Sequence, residues 1–369
     1  LLDVQTNKNN TIASQYFGAM VVEHQVSKNF TATSFLVNRQ ETDQFNFKDD
    51  YNRVAGVNVN FKSENNKWVG LANYGKSFND ENSTNNGFYH TGIWFNSREV
   101  KWNASIKSVG KNYITDVGFV PRLYNYDAIN NVVLREGYKQ TSAGVLYQKF
   151  YEKSKTLNFV RYLNYNNNMY FDERGNLSQA SHFLNSAIFF KDLSAIYYVV
   201  NYDEVSLKYG FDPLNNGNAL LPGKYKYGTL NVGYNSANNQ RFRYRVNAQS
   251  GTYYNGKRTA LGTYLNYQML PFANLELTYN MNTIDLNSFG KDTFHLTRFT
   301  GQVFFNNRLN WTTYVQYNTQ RDNFNVNTRL QWEYNPLSYL YLVVSDNFNK
   351  SIHRTNWGVA FKMNYRFDF

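Results

Sequence analysis

The last fourteen residues of the chain, 356–369, alternate between apolar and polar side chains without a break. The apolar set is Trp357, Val359, Phe361, Met363, Tyr365, Phe367 and Phe369. A period of two predicts a β-strand, because successive side chains of a strand point to opposite faces. An edge strand this long and apolar would make a soluble protein aggregate. A strand that spans a lipid bilayer needs this pattern.

Composition excludes the helical route through a membrane. The longest purely apolar stretches, 195–200 and 339–344, have six residues, whereas a spanning helix needs about 20. Strands therefore provide the only route left. The chain has no cysteine, which removes disulfides and thiolate metal sites. The net charge of +11 is scattered rather than clustered, so we expect no nucleic-acid partner.

The same pattern repeats along the whole chain: about 10–14 alternating residues, then a turn rich in Asn, Gly, Asp, Ser or Lys. We predict an all-β, transmembrane, antiparallel up-and-down β-barrel, a single domain over residues 1–369. About 19 strands follow Gln15, and residues 1–6 form one more, which gives about 20. Bacterial barrels have even strand numbers and periplasmic ends. We therefore expect one or two further strands upstream and a full barrel of roughly 20–22 strands, too wide for side chains to fill.

The lengths of the connections predict the topology, because short periplasmic turns alternate with longer external loops. Short turns are predicted near 27–29, 64–66, 97–98, 152–154, 191–192, 237–239, 271–273, 306–307 and 335–337. Longer external connections are predicted near 41–50, 79–86, 111–136, 172–178, 207–222, 286–292 and 346–354. Two connections, 255–256 and 320–323, should be external yet are short.

Four short motifs are spread from the first residues to the last strands. They are Leu1-Leu2-Asp3-Val4-Gln5-Thr6, Tyr51-Asn52-Arg53-Val54-Ala55-Gly56, Val117-Gly118-Phe119-Val120-Pro121-Arg122 and Trp332-Glu333-Tyr334-Asn335-Pro336-Leu337-Ser338. With them the chain resembles a Bacteroidota outer-membrane barrel family of unassigned function. In that family the barrel follows a module similar to a family-nine carbohydrate-binding domain, which these residues lack. The resemblance implies a Gram-negative outer membrane and supplies no catalytic residues.

Three arginines at every second position form a basic ladder: Arg241, Arg243 and Arg245. Apolar residues alternate with them, so the arginines should face the lumen, because an arginine facing lipid at the bilayer midplane costs about 2–4 kcal/mol. Further cations predicted on the lumen face are Arg329, Lys362 and Arg366. Two interpretations stay open. The ladder favours anions or docks an acidic plug, or it is paired with carboxylates such as Glu276 and Glu333.

Aromatic side chains on the opposite face predict the girdles that mark the two membrane interfaces. The girdle set is Trp311, Trp332, Tyr334, Trp357, Tyr365 and Phe367. The terminal aromatics Tyr365, Phe367 and Phe369 resemble the C-terminal strand that the barrel-assembly machinery recognises. We expect that machinery and outer-membrane lipid as partners. Tyr264 and Tyr314, on the lumen face, are better candidates than the girdle residues for stacking on a sugar ring.

The segment 111–136 is long enough to fold inward or to form a docking surface. We predict that Phe119, Pro121 and Arg122 constrict the lumen or contact a partner. The five histidines show no metal-ligand spacing, and the neighbours Asp203 and Glu204 should point to opposite faces. We therefore expect no metal, no cofactor and no catalytic residue.

The function predicted from these patterns is a non-enzymatic outer-membrane barrel, plugged or partly occluded, that serves as a subunit of a larger envelope complex. The alternatives are a passive or substrate-specific channel for polar or anionic solutes and, less favoured, an outer-membrane barrel enzyme.

Overall fold

A computed structural model describes residues 2–8, 13–43, 46–80, 84–349 and 353–367. These residues form 22 β-strands and one short 3-10 turn at Asn287–Phe289. Twenty strands belong to one sheet, and two form a separate hairpin. No helix in the described part of the chain is long and apolar enough to cross a membrane.

The strands of the first half of the large sheet are β1 (Leu2–Thr6), β2 (Ser14–Gln25), β3 (Phe30–Asp43), β4 (Asn46–Lys62), β5 (Trp68–Phe78), β6 (Gly87–Asn96), β7 (Val100–Val109), β10 (Tyr138–Phe150), β11 (Leu157–Phe171) and β12 (Leu177–Phe190). The others are β13 (Ala195–Leu207), β14 (Gly223–Asn235), β15 (Phe242–Tyr253), β16 (Gly256–Met269), β17 (Ala273–Asp285), β18 (Lys291–Phe304), β19 (Leu309–Asn318), β20 (Asn323–Asn335), β21 (Ser338–Asn349) and β22 (Arg354–Asn364). The separate hairpin is β8 (Tyr124–Asp127) with β9 (Val132–Arg135).

Sequential strands pair antiparallel, from β1 with β2 to β21 with β22, and β7 pairs with β10 across the inserted hairpin. The predicted up-and-down antiparallel sheet of about 20 strands is confirmed. All nine predicted short turns fall between strands, as at 336–337 between β20 and β21. Their assignment to the periplasm stays a prediction.

Four predicted long connections are short. Those near 172–178 and 286–292 span only 172–176 and 286–290, no longer than the short turn at 63–67. Strands β3 and β4 extend to Asp43 and from Asn46, and Thr42 pairs with Phe47, so the connection near 41–50 is short. Strand β21 reaches Asn349 and β22 begins at Arg354, so the connection near 346–354 is short as well. These segments are polar, but the hydrogen bonds of a ladder join backbone groups and continue whatever the side chains are.

The C-terminal strand is shorter than its alternation predicts. Strand β22 ends at Asn364, and residues 365–367 follow outside it. Residues 368–369, and with them Phe369 of the assembly signal, lie outside the described residues. All eleven residues of β22 are exposed.

Side-chain exposure is inverted relative to a soluble protein. Leu277 is 39% exposed and Trp311 is 48% exposed. By contrast, Asn266 is 0% exposed and Thr312 is 1% exposed. The register places Asn266 and Thr312 on the face opposite to Leu277 and Trp311. In water the apolar face would be the buried one. We call the two sides the apolar face and the polar face.

The chain divides into two compact units. The first comprises residues 1–149, 161–184 and 201–226, and the second 150–160, 185–200 and 227–369. A cluster of buried apolar residues lies in the first unit: Val54, Val109, Tyr113, Leu123 and Tyr138.

Candidate functional site

The connection 110–137 of the first unit, here the docked loop, packs on the polar face of strands β3–β7. It contains the β8–β9 hairpin. Its Tyr113 ring stacks with Phe88 at a centroid distance of 5.7 Å. Tyr113 and Leu123 are buried there together with Val54 and Val109 of the sheet.

Side chains of the sheet hold the backbone of the docked loop. The Asn52 amide donates to the Ile114 carbonyl at 3.0 Å, and its Oδ1 accepts from the Asp116 N–H at 3.1 Å. The Ser77 hydroxyl accepts from the Ile114 N–H at 2.9 Å and donates to the Asn112 carbonyl at 3.2 Å. Buried backbone groups need partners. These two side chains supply them where no neighbouring strand does.

Arg39 adds charge to the same contact. Its guanidinium binds Asp116 of the docked loop at 2.6 Å and Asp50 of β4 at 2.8 Å. Charge-assisted hydrogen bonds of this kind are shorter and stronger than neutral ones. Arg39, Asn52 and Ser77 are the clamp residues of the docked loop.

Glycines make room for the loop on the sheet. The register aligns one row across six strands: Phe35, Gly56, Gly75, Phe88, Val109 and Tyr138. A Cβ on Gly56 would lie 2.6 Å from both the Phe35 ring and the Tyr74 carbonyl oxygen. The Phe35 ring therefore lies over a position that only glycine can occupy without displacement.

The three predicted loop residues have different surroundings. Phe119 is 85% exposed, and Pro121 is exposed beside it. Both line an apolar cavity of about 350 Å³ between the docked loop and the sheet. Arg122, with φ of 67°, stacks its guanidinium 3.9 Å from the Tyr170 ring centroid and donates to Gln179 Oε1 at 2.7 Å. Constriction of a lumen by these residues stays a prediction.

A second cavity of about 630 Å³, here the hairpin cavity, lies between the β8–β9 hairpin and the connection 208–222. Asp127 joins the two: its Oδ1 accepts from the Ile129 N–H at 3.0 Å and from the Gly210 N–H at 3.2 Å. The Ala128 N–H also donates to the Gly210 carbonyl at 2.9 Å. The hydrogen bond from the Asn130 amide is the main reason that the pKa of Asp127 lies below its ordinary value.

An ionic cluster closes one side of the hairpin cavity. Lys208 Nζ binds Glu136 at 3.1 Å and Asp172 at 3.3 Å, and the Tyr209 hydroxyl donates to Glu136 at 2.7 Å. Burial works to raise the pKa of Asp172, but hydrogen bonds from Asn176 and Lys208 outweigh it and lower the pKa to about 2. Burial, followed by the bond to Glu136, raises the pKa of Tyr209 to about 12.

The basic ladder lies in the second unit. Arg241 is in the turn before β15 and is exposed. Arg243 Nε donates to Asn266 Oδ1 at 2.9 Å, and the Asn266 amide reaches Glu276 at 3.4 Å. Arg245 lies 5.1 Å from the ring centroid of Tyr264. The contact between the ladder and Glu276 therefore runs through an amide.

The other predicted cations are not gathered with the ladder. Arg329 Nε is buried without a hydrogen-bond partner in the described part of the chain. Lys362 is exposed on β22, and Arg366 follows that strand, where its N–H donates to the Ser338 hydroxyl at 3.0 Å. Glu333 Oε1 accepts from the Leu337 N–H at 2.9 Å and so caps a turn.

Sequence reasoning did not find Arg298 among the cations of the polar face. The register aligns a polar row across seven strands of the second unit: Arg245, Tyr264, Thr278, Arg298, Gln316, Asn325 and Asn347. Arg298 thus shares the polar face with Arg245, three strands away, or roughly 14 Å. Strand β18 has polar residues on both faces, so alternation alone could not orient Arg298. Counting register from the turns could have done so.

The predicted girdle residues are exposed, apart from Tyr334, which is half-buried and donates to the Asn364 carbonyl at 3.0 Å. Trp357 lies near the connection between β21 and β22, whereas Trp311, Trp332 and Tyr365 lie toward the 336–337 turn. The set thus occupies both ends of the strands. Contact with a membrane interface stays a prediction, as does sugar stacking on Tyr264 and on Tyr314, which is exposed.

Two of the histidines and both members of the Asp203–Glu204 pair are engaged with other side chains. His182 Nδ1 lies 2.8 Å from the Tyr165 hydroxyl, and His295 Nδ1 lies 2.9 Å from the Tyr279 hydroxyl. Asp203 accepts from Ser181, whereas the neighbouring Glu204 binds Lys226. Across the described ranges there is no group of three or more His, Cys, Asp or Glu residues that could hold a metal ion.

No family model and no curated protein matches the chain. Solved structures do match it, and two of them are described here. The FrpB iron transporter from Neisseria meningitidis (F3-3 variant) is 9% identical, with 91% of this chain and 66% of that chain covered and a TM-score of 0.49. A chain of the FpvAI–pyocin S2 complex is 12% identical, with 90% and 61% covered and a TM-score of 0.50.

The likeness to the chain of the FpvAI–pyocin S2 complex, together with the antiparallel sheet, decides the fold. The fold is that of an outer-membrane β-barrel. The chain spans about two thirds of the length of these two structures. Neither comparison bears on the Bacteroidota family or on a carbohydrate-binding module.

Proposed function

We propose that the chain is a non-enzymatic integral barrel of a Gram-negative outer membrane, partly occluded by its own docked loop, and a subunit of a larger envelope complex. The supporting observation is the inverted exposure: apolar side chains such as Leu277 and Trp311 are exposed, while Asn266 and Thr312 opposite them are buried. Hydrocarbon would cover the first set, and the second set would line a wet interior. Outer-membrane lipid and, during biogenesis, the barrel-assembly machinery are the expected partners.

Occlusion is supported by the clamp residues. They hold the docked loop on the polar face, which is the interior face of a barrel in a membrane. An interior loop narrows the path for solutes, and exposed apolar residues such as Phe119 would then be available to a protein partner.

Single-channel recording in planar bilayers tests occlusion. The wild-type protein should show little or no conductance, and the double variant Asn52→Ala/Ser77→Ala should show a larger, fluctuating one because its loop is released. The variant Asn60→Ala is the control, since this exposed residue of β4 does not touch the loop. Steady, large conductance of the wild type would contradict the proposal.

The second candidate is a channel for polar or anionic solutes. Arg245 and Arg298, both exposed on the polar face, favour it. In this case the wild type conducts with a reversal potential that indicates anion preference, and Arg245→Gln/Arg298→Gln reduces that preference.

Purification in mild detergent with mass spectrometry of the retained proteins tests the role as a subunit of a complex. A barrel that purifies alone under every mild condition contradicts the subunit role.

A further inference from the structure

The apolar cavity between the docked loop and the sheet, here the loop cavity, lies on a face that is otherwise polar. The sheet contributes Phe35, Val37 and Phe88 to its lining, and all three are half-buried. Side chains that line a wet barrel interior are normally polar. Packing of the docked loop accounts for only part of this apolar surface, because these three side chains still border open space.

Two glycines deepen the loop cavity. A Cβ on Gly56 would lie 2.6 Å from the Phe35 ring, and one on Gly75 would lie 3.7 Å from it. The ring therefore settles close to the backbone of the neighbouring strands and leaves space above it. The volume of about 350 Å³ is at the lower end of the ~300–1,000 Å³ range of ligand pockets.

Lys107 is the one charged side chain among the described residues that line the loop cavity. Its Nζ lies 5.7 Å from the centroid of the Phe88 ring and 5.8 Å from that of Tyr138. The residues paired with it in the two neighbouring strands, His90 and Gln140, are not acidic. A cation placed against rings, in a cavity whose described lining holds no carboxylate, favours an anionic ligand.

Exposed apolar residues of the docked loop border the same cavity. Val117 is 50% exposed and Phe119 is 85% exposed, and Pro121 is exposed beside them. An apolar ligand in the cavity would remove part of this surface from water, which is favourable. A polar solute would leave it wet.

The ligand that matches these features has an apolar chain and a single negative charge. One lysine balances one ionised carboxylate, whereas a phosphate monoester carries a charge of about −1.5 to −2. A methylene group occupies about as much space as a water molecule in the liquid, ~30 Å³, so a chain of roughly 8–12 carbons fills the loop cavity. The two long acyl chains of a phospholipid are too large for it.

We infer that the loop cavity binds a medium-chain fatty acid, with its chain against Phe35, Val37 and Phe88 and its carboxylate at Lys107. The inference goes beyond the proposed function, because it concerns a ligand of the docked loop and holds whether or not the barrel conducts. Its test does not use conductance, so the two can fail separately.

Photo-crosslinking of the whole protein tests the inference. The protein is held in nanodiscs of zwitterionic phospholipid, because detergent monomers would enter an apolar cavity. The probe is dodecanoic acid with a diazirine on its chain, used at mildly alkaline pH so that the acid is ionised, and mass spectrometry locates the labelled peptides. Labelling of residues 115–121 should be saturable, and excess dodecanoic acid should compete with it whereas dodecanol should not.

Labelling of Leu277 and its neighbours on the apolar face is the internal reference for probe dissolved in the lipid. It should be neither saturable nor sensitive to the head group. In Lys107→Met the probe concentration for half-maximal labelling of 115–121 should rise by about tenfold, because a hydrogen bond between charged groups is lost. Lys107→Arg keeps the charge and should restore most of the binding.

The control variant is Lys101→Met, which removes an exposed lysine of the same strand and the same face that lies outside the cavity. It should be labelled like the wild type. Retained heat-modifiable mobility on gels shows that each variant is folded. The inference is overturned if 115–121 is not labelled, if dodecanol competes as well as dodecanoic acid, or if folded Lys107→Met is labelled like the wild type. Protection of 115–121 by an anionic phospholipid or by a retained protein partner, in place of the acid, overturns it as well.

Discussion

The two units cover their polar faces by different means. In the first unit the docked loop covers the face, and clamp residues satisfy the loop backbone with hydrogen bonds and ion pairs. In the second unit connections are short, and side chains cover one another, as where Arg243, Asn266 and Glu276 form a chain. The comparison shows that the polar face of such a sheet can be covered either by the backbone of a loop or by the side chains of its own strands.

The largest effect should come from the side-chain network of the second unit. Asn266→Leu removes the acceptor of Arg243 and the donor to Asn274 and Glu276. We expect a loss of about 3 kcal/mol in the free energy of unfolding, because a polar network at a buried site loses its centre. Urea unfolding followed by gel mobility measures it. Gln316→Leu, at a half-buried position of the same face, is the control, and an equal loss there would refute the network's role.

A smaller and local effect should come from the clamp of the first unit. Asn52→Ala leaves the Ile114 carbonyl and the Asp116 N–H without their partner. We expect local opening of the docked loop to become easier by about 2 kcal/mol. Faster hydrogen exchange at residues 113–116 measures it, with the second unit unchanged. Unaltered exchange there would mean that packing of Tyr113, rather than the clamp, holds the loop.

Filling the space that Gly56 leaves beneath the Phe35 ring should destabilise the fold slightly less. In Gly56→Ala the new Cβ meets the Phe35 ring and the Tyr74 carbonyl at 2.6 Å, and overpacking of this kind costs about 1–2 kcal/mol. Gly70→Ala is the matched control, since its Cβ would lie at 3.6 Å from Phe61. Equal unfolding midpoints for the two variants would show that Phe35 moves aside without cost.

The smallest effect concerns pH. The pKa of Asp172 is lowered to about 2 in the folded protein. Its contribution is therefore present above its ordinary value near 4 and is lost as pH falls from 4 toward 2. Exchange at residues 208–209 should accelerate in that window in the wild type and lose this dependence in Asp172→Asn. Asp285→Asn, at an exposed pair with Lys291 in the second unit, should leave it unchanged.

The alternation of apolar and polar residues predicted most of the fold. Alternation and turn chemistry predicted about 20 strands and nine short turns, because both depend on neighbours in sequence. The extended pairs at Thr42–Phe47 and Asn347–Asn356 escaped prediction, since polar residues do not end a backbone ladder. The clamp also escaped, because Asn52 and Asp116 are 64 residues apart. The face of Arg298 could be found only from the strand register. The hairpin cavity could not be predicted, because it forms where two loops that are distant in the sequence meet.

The clamp also bears on how the chain is put together. Arg39, Asn52 and Ser77 all precede the segment they hold, by 77, 62 and 37 residues respectively. The contacts from Glu136 to Lys208 and from Asn85 to Glu173 require chain that comes later. If strands are added in order during biogenesis, the segment can settle on the first hairpins before the rest of the wall exists. The docked loop would then be in place before the later strands pair, and those strands would be added around it.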